Sequence, residues 1–549
     1  MNRRLFLVGA AVGLFAAFAI DPMPATAAAT ACTNLQNLQL QDTTNLVAKD
    51  TTLPGTPPLP FCDVTATLKP TSDSAINIEV WLPEKTEKTA WNGRFLGIGG
   101  GGFQGPITSG EYGDLAMGIK MGFATAISDL GTGSSGCTTL YCTGLFEHPE
   151  RIKDFGYRAI HLMTLRGKEI VHAFYYPQNA QKAYFAGCST GGQNALMEAQ
   201  RFPGDYNGIL AGDAAFNRTH LHMGAIDAWQ VTHATLGSSI LPAQMTLINK
   251  NVLAQCVGQD GGYKTDQFLT DPRDCQFNQK VLLCTGANQP PACLSADQVT
   301  TMTNYYGGVI DPVTGAIIYP GYERGNETAD PSVGGLAFQE QLPEPLYDGL
   351  FYWVFGPSFG KLSSKTNYAN FDFHKDVDKV DDLLAEPLNA VSTDLSDFKQ
   401  RGNKLIMYHG WADPLIPSQS SINYFNALVR HDSQDDERVQ QVRFAPNGHN
   451  NLLKTQEYAR LFMVPGMYHC SGGPGPNVFD ALTPLAKWVE QGVAPETIIA
   501  TNGVMTRPLC VFPKVAKYNG IGDPNVYTSF TCVADEPDFN QTPAPKYGP

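Results

Sequence analysis

The chain has 549 residues, of which 43% are hydrophobic and 16% charged, and its formal net charge at pH 7 is −14. This length predicts two or three domains, or one large domain with an insertion. The negative charge argues against nucleic acid as a partner, because its phosphates would be repelled, and it favours a small uncharged or weakly acidic substrate.

The N-terminal segment has the layout of an export signal. Arg3 and Arg4 precede an apolar run over residues 5–20, and small residues follow up to Ala28. We interpret residues 1–28 as a bacterial-type signal peptide, of either the twin-arginine or the general secretion kind, and expect a secreted or periplasmic protein. The apolar run is short for a membrane anchor, and no later stretch predicts a membrane span.

The twelve cysteines agree with export, since an even number in an oxidising compartment predicts six disulfides. Zinc ligation is disfavoured because the C-x-x-C spacing and neighbouring histidines that it needs are missing. Several cysteines are close in sequence, which is typical of disulfides that staple loops: Cys137 with Cys142, Cys256 with Cys275, and Cys284 with Cys293.

Strand-like and helix-like segments alternate along much of the chain, which predicts an α/β fold with a parallel sheet. Residues 215–395 differ, because they are rich in aromatic, Gly and Pro residues, and we interpret them as an inserted lid domain. The sheet domain would then consist of residues 29–214 and 396–549. Strands are predicted at 76–82, 95–98, 125–128, 183–186, 209–211, 404–409 and 459–464, with helices at 157–176 and about 418–430.

The strand at 95–98 leads directly into four glycines, residues 99–102. Such a loop, upstream of a nucleophile, lets the backbone approach a substrate oxygen without side chains in the way. We predict that the Gly102 amide is a donor of an oxyanion hole. Without the nucleophile motif, a flexible loop would be the simpler interpretation.

That motif is G-x-S-x-G, at residues 187–191, between a predicted strand and a predicted helix. Gly187 and Gly191 permit the sharp turn that lifts the Ser189 hydroxyl clear of the sheet. The Thr190 amide then lies at a helix N-terminus, where backbone dipoles favour negative charge on a substrate oxygen. The sequence therefore predicts Ser189 as the nucleophile.

Asp413 and His469 each follow a predicted strand, and the order Ser189, Asp413, His469 is that of α/β-hydrolases. In these roles His469 would remove the serine proton and return it to the leaving alcohol, while Asp413 would orient the imidazole. His409 and His449 compete as bases, although a buried histidine and a solvated loop histidine are the simpler interpretations of the two.

Cys188 and Cys470 directly flank the proposed nucleophile and base. A disulfide between them would clamp the two catalytic turns together. The alternative is that Cys188 is itself the nucleophile, activated by His469. We disfavour it because residue 189 occupies the apex of the turn.

Four segments together resemble the tannase and feruloyl esterase family of α/β-hydrolases: WNGRFLGIGGGGF, GCSTGG, YHGWADPLI and LFMVPGMYHCSGGPGP. The resemblance extends from Cys32 to Cys532. It implies Ser189, Asp413 and His469 as the triad, a Cys188–Cys470 disulfide, and an oxyanion hole formed by Gly102 and Thr190. It also implies the pairs Cys32 with Cys62, Cys256 with Cys275, Cys284 with Cys293, and Cys510 with Cys532, which leaves Cys137 with Cys142 as a local pair.

Family members carry a calcium ion in the lid, although the chemistry itself requires no cofactor. The matching run here is CVGQDGGYKTDQFLTDPRDC, in which Asp260 and Asp266 match acidic ligands and Phe268 a carbonyl ligand. Val257 replaces the first aspartate, and losing a carboxylate weakens a site that wants six to eight oxygens. Asp271 or Asp274 could compensate; otherwise the Cys256–Cys275 disulfide alone would hold the loop.

The resemblance implies esters of aromatic acids as substrates: ferulate first, gallate second. A mono-hydroxyethyl terephthalate hydrolase is also related, but no arginine here matches its second-carboxylate site, and Ile416 stands where an aromatic clamp is expected. Stacking on a phenolic ring could come from residues 351–353 and Phe355, for which packing in the lid core is an equal alternative. The rival functions are a secreted peptidase or lipase, or a catalytically inactive binding protein on the same fold.

Overall fold

The computed structural model describes residues 31–55, 58–84, 90–286, 288–329, 345, 348–434 and 449–534. Fifteen strands lie in these residues: β1 Thr43–Leu53, β2 Leu59–Leu68, β3 Ile76–Pro83, β4 Arg94–Ile98, β5 Ala124–Ser128, β6 Lys182–Cys188, β7 Gly208–Gly212, β8 Val309–Ile310, β9 Ile317–Tyr319, β10 Lys404–Gly410, β11 Ala459–Val464, β12 Thr497–Asn502, β13 Met505–Cys510, β14 Lys514–Tyr518 and β15 Phe530–Ala534.

The helices of the same residues are α1 Ser109–Lys120, α2 Pro149–Lys153, α3 Ala159–Tyr175, α4 Thr190–Arg201, α5 Arg218–Thr232, α6 Pro242–Cys256, α7 Ala296–Gly307, α8 Gly349–Phe355, α9 Val377–Leu388, α10 Ser396–Gln400, α11 Gln419–Gln434, α12 His449–Gln456 and α13 Leu482–Gln491. A π-helical turn at Asp154–Arg158 joins α2 to α3, and short 3-10 helices occur at Cys32–Asn37, Pro272–Asp274, Gln279–Leu282 and Tyr527–Ser529.

Nine strands form one mixed sheet in the order β1-β2-β3-β5-β4-β6-β7-β10-β11. The six strands from β5 to β11 in this order are parallel, whereas β1, β2 and β3 pair antiparallel at one edge. Every residue of β5 and β11 is buried, as expected for parallel strands covered on both faces. The predicted α/β fold is confirmed, and each predicted strand is present.

The active-site turns come together because β7 and β10 are neighbours in this sheet, although about 190 residues separate them in the chain. The intervening chain carries α5 to α10 and the small β8-β9 pair. Its two ends meet, since the Ala390 amide donates to the Phe216 carbonyl at 2.7 Å. The division into domains at residues 215 and 395 stays a prediction.

All twelve cysteines are paired, in the six disulfides that the sequence and the resemblance predict: Cys32–Cys62, Cys137–Cys142, Cys188–Cys470, Cys256–Cys275, Cys284–Cys293 and Cys510–Cys532. The last of them joins β13 to β15 in a C-terminal pair of hairpins that the sequence did not predict. Within the described ranges, no helix combines the length and apolarity needed to cross a bilayer. Residues 1–28 lie outside these ranges.

Candidate active site

Ser189 lies at the apex of the turn between β6 and α4, as the motif predicts. Its φ of 62° and ψ of −120° lie in a region that side chains rarely adopt, and such strain is typical of the nucleophile elbow. The Ser189 amide donates to the Gly212 carbonyl at 3.0 Å, and its carbonyl accepts from the Ala215 amide at 3.0 Å. Residues at and just after the end of β7 thus hold both backbone groups of Ser189, and its side chain faces the cavity described below.

The glycine loop packs directly against this turn. A Cβ atom on Gly99 would lie 2.4 Å from the Gly191 Cα, and one on Gly187 would lie 2.5 Å from the Gly191 carbonyl carbon. Gly102 has a φ of +55°, and a Cβ there would lie 1.9 Å from the Thr139 carbonyl oxygen. Only glycine therefore permits this backbone contact.

Arg218, at the start of α5, holds the glycine loop and the elbow together. It is 2% exposed, and it donates to the Gly102 carbonyl at 2.9 Å and to Thr190 Oγ1 at 2.7 Å. The Thr190 hydroxyl in turn donates to the same Gly102 carbonyl at 2.6 Å. Fixing this carbonyl fixes the orientation of the loop that carries the Gly102 amide. The sequence analysis missed Arg218 because no motif links it to residues that are distant in sequence.

His469 and Asp413 meet at the carboxyl ends of β11 and β10. His469 Nδ1 lies 2.7 Å from Asp413 Oδ2, and Asp413 Oδ1 accepts the amides of Leu415 and Ile416 at 2.7 and 2.9 Å. The Asp413 side chain is fully buried, whereas that of His469 is 12% exposed. The structure thus brings the predicted acid and base into contact through His469 Nδ1. The other ring nitrogen, Nε2, is then the one that can accept a proton.

The electrostatics of this pair follow from burial and mutual contact. Burial alone would raise the pKa of Asp413, but His469 and His409 hold the pKa of that carboxyl below its usual range. Burial opposes the charged form of His469, yet Asp413 raises its pKa above the ordinary value. Asp413 therefore stays ionised and can stabilise the imidazolium that forms when His469 takes a proton.

The Cys188–Cys470 disulfide links the residue before Ser189 to the residue after His469, with 5.9 Å between the Cα atoms. Cys188 consequently has no thiol to ionise, which removes the support for its role as nucleophile. His409 is fully buried and contacts Asp413 rather than the open cavity. The side chain of His449 lies outside the described residues.

A cavity of about 840 Å³ opens beside this site and is lined by Ser189, His469 and the glycine loop. Its size is that of ordinary small-molecule sites. The remaining wall is largely apolar, with Ile98, Met117, Met121, Phe479 and Leu482. The cavity can therefore hold a small organic ligand beside Ser189.

The lid aromatics occupy other positions. Phe351, Tyr352 and Trp353 are buried at 0%, 6% and 6% exposure, and Trp353 Nε1 donates to the Cys142 carbonyl at 2.8 Å. Phe355 packs on Phe359, with ring centroids 5.4 Å apart. None of these residues is among the described residues that line the cavity; they pack in the hydrophobic core that also contains residues of the sheet.

The two aspartates of the predicted calcium loop accept hydrogen bonds from backbone amides of the same loop. Asp260 accepts the amides of Gly258 and Gly262 at 3.1 and 3.2 Å, and it also accepts that of Thr270. Asp266 Oδ2 accepts the Tyr263 amide at 3.0 Å.

Arg507 supplies a positive charge beside this loop. Its Nη2 donates to Asp266 Oδ1 at 2.9 Å, and both side chains are buried. Asp271, which could have compensated for Val257, is paired with Arg273 instead. Phe268 is buried against Gly466, before the His469 loop. Calcium takes six to eight oxygen ligands, whereas Asp266 and Asp271 are paired with arginines; this pairing does not favour the ion, and calcium binding stays a prediction.

The sheet and the arrangement of Ser189, Asp413 and His469 define the class of α/β-hydrolases. Within that class, the chain belongs to the family described as tannase and feruloyl esterase, which it matches over residues 62–533. It is 34% identical to an uncharacterized esterase of Xanthomonas campestris over 94% of this chain and 93% of that protein. It is 32% identical to a "Probable feruloyl esterase B-2" of Aspergillus flavus over 82% and 81% of the two chains.

Solved structures agree with this assignment. The crystal structure of feruloyl esterase B from Aspergillus oryzae matches with a TM-score of 0.76 and 25% identity, over 91% of this chain and 99% of that one. Tannin acyl hydrolase from Aspergillus niger matches with a TM-score of 0.68 and 20% identity, over 90% and 92%. The chain is accordingly a carboxylic ester hydrolase.

Proposed function

We propose that this chain is an exported serine esterase that cleaves esters of aromatic acids through an acyl-enzyme on Ser189. The observation that carries the proposal is the 2.7 Å contact between His469 Nδ1 and Asp413 Oδ2, on a turn that a disulfide ties to the Ser189 turn. A protein that only binds ligands would require neither this contact nor a strained serine facing a cavity.

In the proposed mechanism, His469 Nε2 takes the proton of the Ser189 hydroxyl while Oγ attacks the ester carbonyl carbon. The Gly102 and Thr190 amides stabilise the resulting oxyanion, and the second of these amides belongs to the first turn of α4, where N–H groups lack intrahelical partners. The alcohol leaves with the proton from His469. Water, deprotonated by His469, then attacks the acyl-enzyme, and His469 returns that proton to Ser189 Oγ as the acid is released.

Ferulate and related hydroxycinnamates are the proposed acyl groups, with gallate second. Support comes from the relative named as a feruloyl esterase at 32% identity, whereas the tannin acyl hydrolase, at 20% identity, supports only the fold. The apolar cavity beside Ser189 can hold a phenolic ring of either acid. Terephthalate mono-esters, peptides and long-chain lipids remain as alternatives for the substrate assay.

Export is supported by the signal-like layout of residues 1–28 and by the pairing of all twelve cysteines. Six disulfides are expected to persist only in an oxidising compartment. Cell fractionation of a bacterial host, with and without residues 1–28, tests this part of the proposal: loss of the leader should retain the protein in the cytoplasm.

The assay that tests the enzymatic proposal compares methyl ferulate, methyl gallate and p-nitrophenyl acetate, using wild type, Ser189→Ala and Ser471→Ala. Ser471 is an exposed serine beside His469 and serves as the matched control. We expect hydrolysis of an aromatic ester by the wild type and the control, and its loss in Ser189→Ala with little change in Tm. Retained turnover in Ser189→Ala would refute the nucleophile, and activity on the acetate alone would refute the aromatic acyl group.

A further inference from the structure

A second buried ion pair lies directly behind the proposed triad. His409 Nε2 is 3.2 Å from Asp413 Oδ2, the same oxygen that His469 contacts, and 3.6 Å from Asp213 Oδ1. The side chains of Asp213, His409 and Asp413 are all fully buried. Two carboxylates and two imidazoles therefore form one continuous chain, of which only His469 reaches the cavity.

The contacts of His409 allow both ring nitrogens to carry a proton, as in an imidazolium. Its Nε2 faces only acceptors, namely the two carboxylates and the Ile416 carbonyl at 3.0 Å, so this nitrogen carries a proton. Nδ1 lies 2.7 Å from the Ser421 hydroxyl oxygen, which can accept its proton. Burial opposes the charge, but Asp213 and Asp413 raise the pKa of His409 to about 9.

Asp213 anchors this pair to the rest of the site. Its Oδ1 accepts the Gly410 amide at 2.8 Å, and its Oδ2 lies 3.4 Å from Cys188 Sγ. Asp213 follows β7 with a φ of 36°, which is unusual for a residue other than glycine. Burial raises the pKa of Asp213 above its usual value, and the positive charge of His409 opposes that rise.

The other titratable groups near these four side chains lie in the segment between β7 and β10 and in β10 itself. Glu323 accepts the amides of Ser418 and Gln419, and its field favours the charged form of His409. Burial raises the pKa of Tyr319, Tyr322 and Tyr408 further above their usual value, so these phenols stay neutral.

We propose that His409 is a positioning residue whose buried positive charge, held by Asp213 and Asp413, offsets part of the charge of the Asp413 carboxylate and thereby favours the neutral form of His469. The proposal rests on the proposed function, in which neutral His469 is the base. Two carboxylates so close to His469 would otherwise favour its protonated form, in which it cannot accept the serine proton. His409 also bonds the Ile416 carbonyl, which fixes the turn whose amides hold Asp413.

The test is the pH dependence of kcat/KM in His409→Gln, with the aromatic ester that the wild type prefers. Glutamine keeps a donor beside Asp413 but removes the charge. The two imidazoles share one carboxylate oxygen, at 2.7 and 3.2 Å, so their charges lie within about 6 Å of each other. An effective dielectric of about 20 to 40 then predicts that the midpoint of the acidic limb rises by about one to two pH units.

Asp213→Asn provides a variant of opposite sign. It removes a negative charge, while Asp413 still holds the proton on His409, so the midpoint should move to lower pH. His220→Gln is the matched control, because His220 is equally buried and its Nε2 contacts a carboxylate, that of Asp381, at 2.8 Å, away from the triad. It should lower Tm without moving the midpoint.

Opposite shifts in His409→Gln and Asp213→Asn support the proposal. An unchanged midpoint in His409→Gln, or shifts of the same sign in both variants, would overturn it. If His409→Gln does not fold, Asp213→Asn alone decides, and an unchanged or raised midpoint in that variant would overturn the proposal. Ser189→Ala, measured in parallel, separates the two claims. If it remains active, the proposed function itself fails, whereas its loss of turnover together with an unmoved midpoint refutes only the role of His409.

Discussion

Replacing Cys188 and Cys470 together by alanine should affect both stability and turnover. The disulfide closes a loop of 282 residues and joins the turn of Ser189 to that of His469. Removing both sulfurs leaves no free thiol and opens only small spaces. The two turns would then be held by the sheet alone, without a covalent limit on their separation.

The loss of stability can be estimated from chain entropy. A closed loop of 282 residues corresponds to about 6 kcal/mol of unfolding free energy, and the 22-residue loop of Cys510–Cys532 to about 3 kcal/mol. The second disulfide lies in the C-terminal hairpins, so its double alanine variant is the matched control. Both variants should unfold at lower urea concentration. Only the first should also lose turnover, by roughly tenfold or more, because displacement of the base from the nucleophile raises the barrier.

Urea unfolding followed by fluorescence, together with kcat on an aromatic ester at a temperature where all variants are folded, measures both effects. If Cys188→Ala/Cys470→Ala loses the expected stability but keeps full turnover, the reasoning is refuted, since the sheet alone would then position the two turns.

Three further outcomes are expected. Arg218→Gln should lower kcat by roughly tenfold to a hundredfold with little change in KM, since the Gly102 carbonyl loses a donor and the oxyanion loop shifts. The control is Arg201→Gln, at the end of α4, which should leave kcat unchanged. Equal kcat in both variants would contradict the role of Arg218. A chelator should leave Tm unchanged, whereas Arg507→Gln should lower it because Asp266 loses its buried partner; a lower Tm after chelation would restore the calcium site. Iodoacetamide should leave the native enzyme active because every cysteine is paired, and inactivation would revive a thiol nucleophile.

The sequence predicted those parts of the site that depend on local chain geometry. The turn at Ser189 and the loop at Gly102 require glycines at fixed spacing, and β11 is apolar except for Arg460, so both features leave a recognisable sequence pattern. Asp413 and His469 were predicted because each lies in the turn that follows a predicted strand, β10 and β11 respectively.

Features that depend on contacts between distant residues were missed. Arg218 and Asp213 belong to no motif, and their roles come from neighbours that the fold supplies. β1 was not predicted because it is largely exposed and rich in threonine, without an alternating apolar face. The loop at Asp260 resembles a calcium site in sequence, yet Arg507, about 240 residues further along the chain, provides the positive charge there.

The most direct test of the central claim is the intact mass of the protein after brief mixing with p-nitrophenyl ferulate, followed by peptide mapping. The account predicts one feruloyl group per chain, located on Ser189 and absent in Ser189→Ala. A feruloyl adduct on another residue, or turnover in Ser189→Ala, would contradict it.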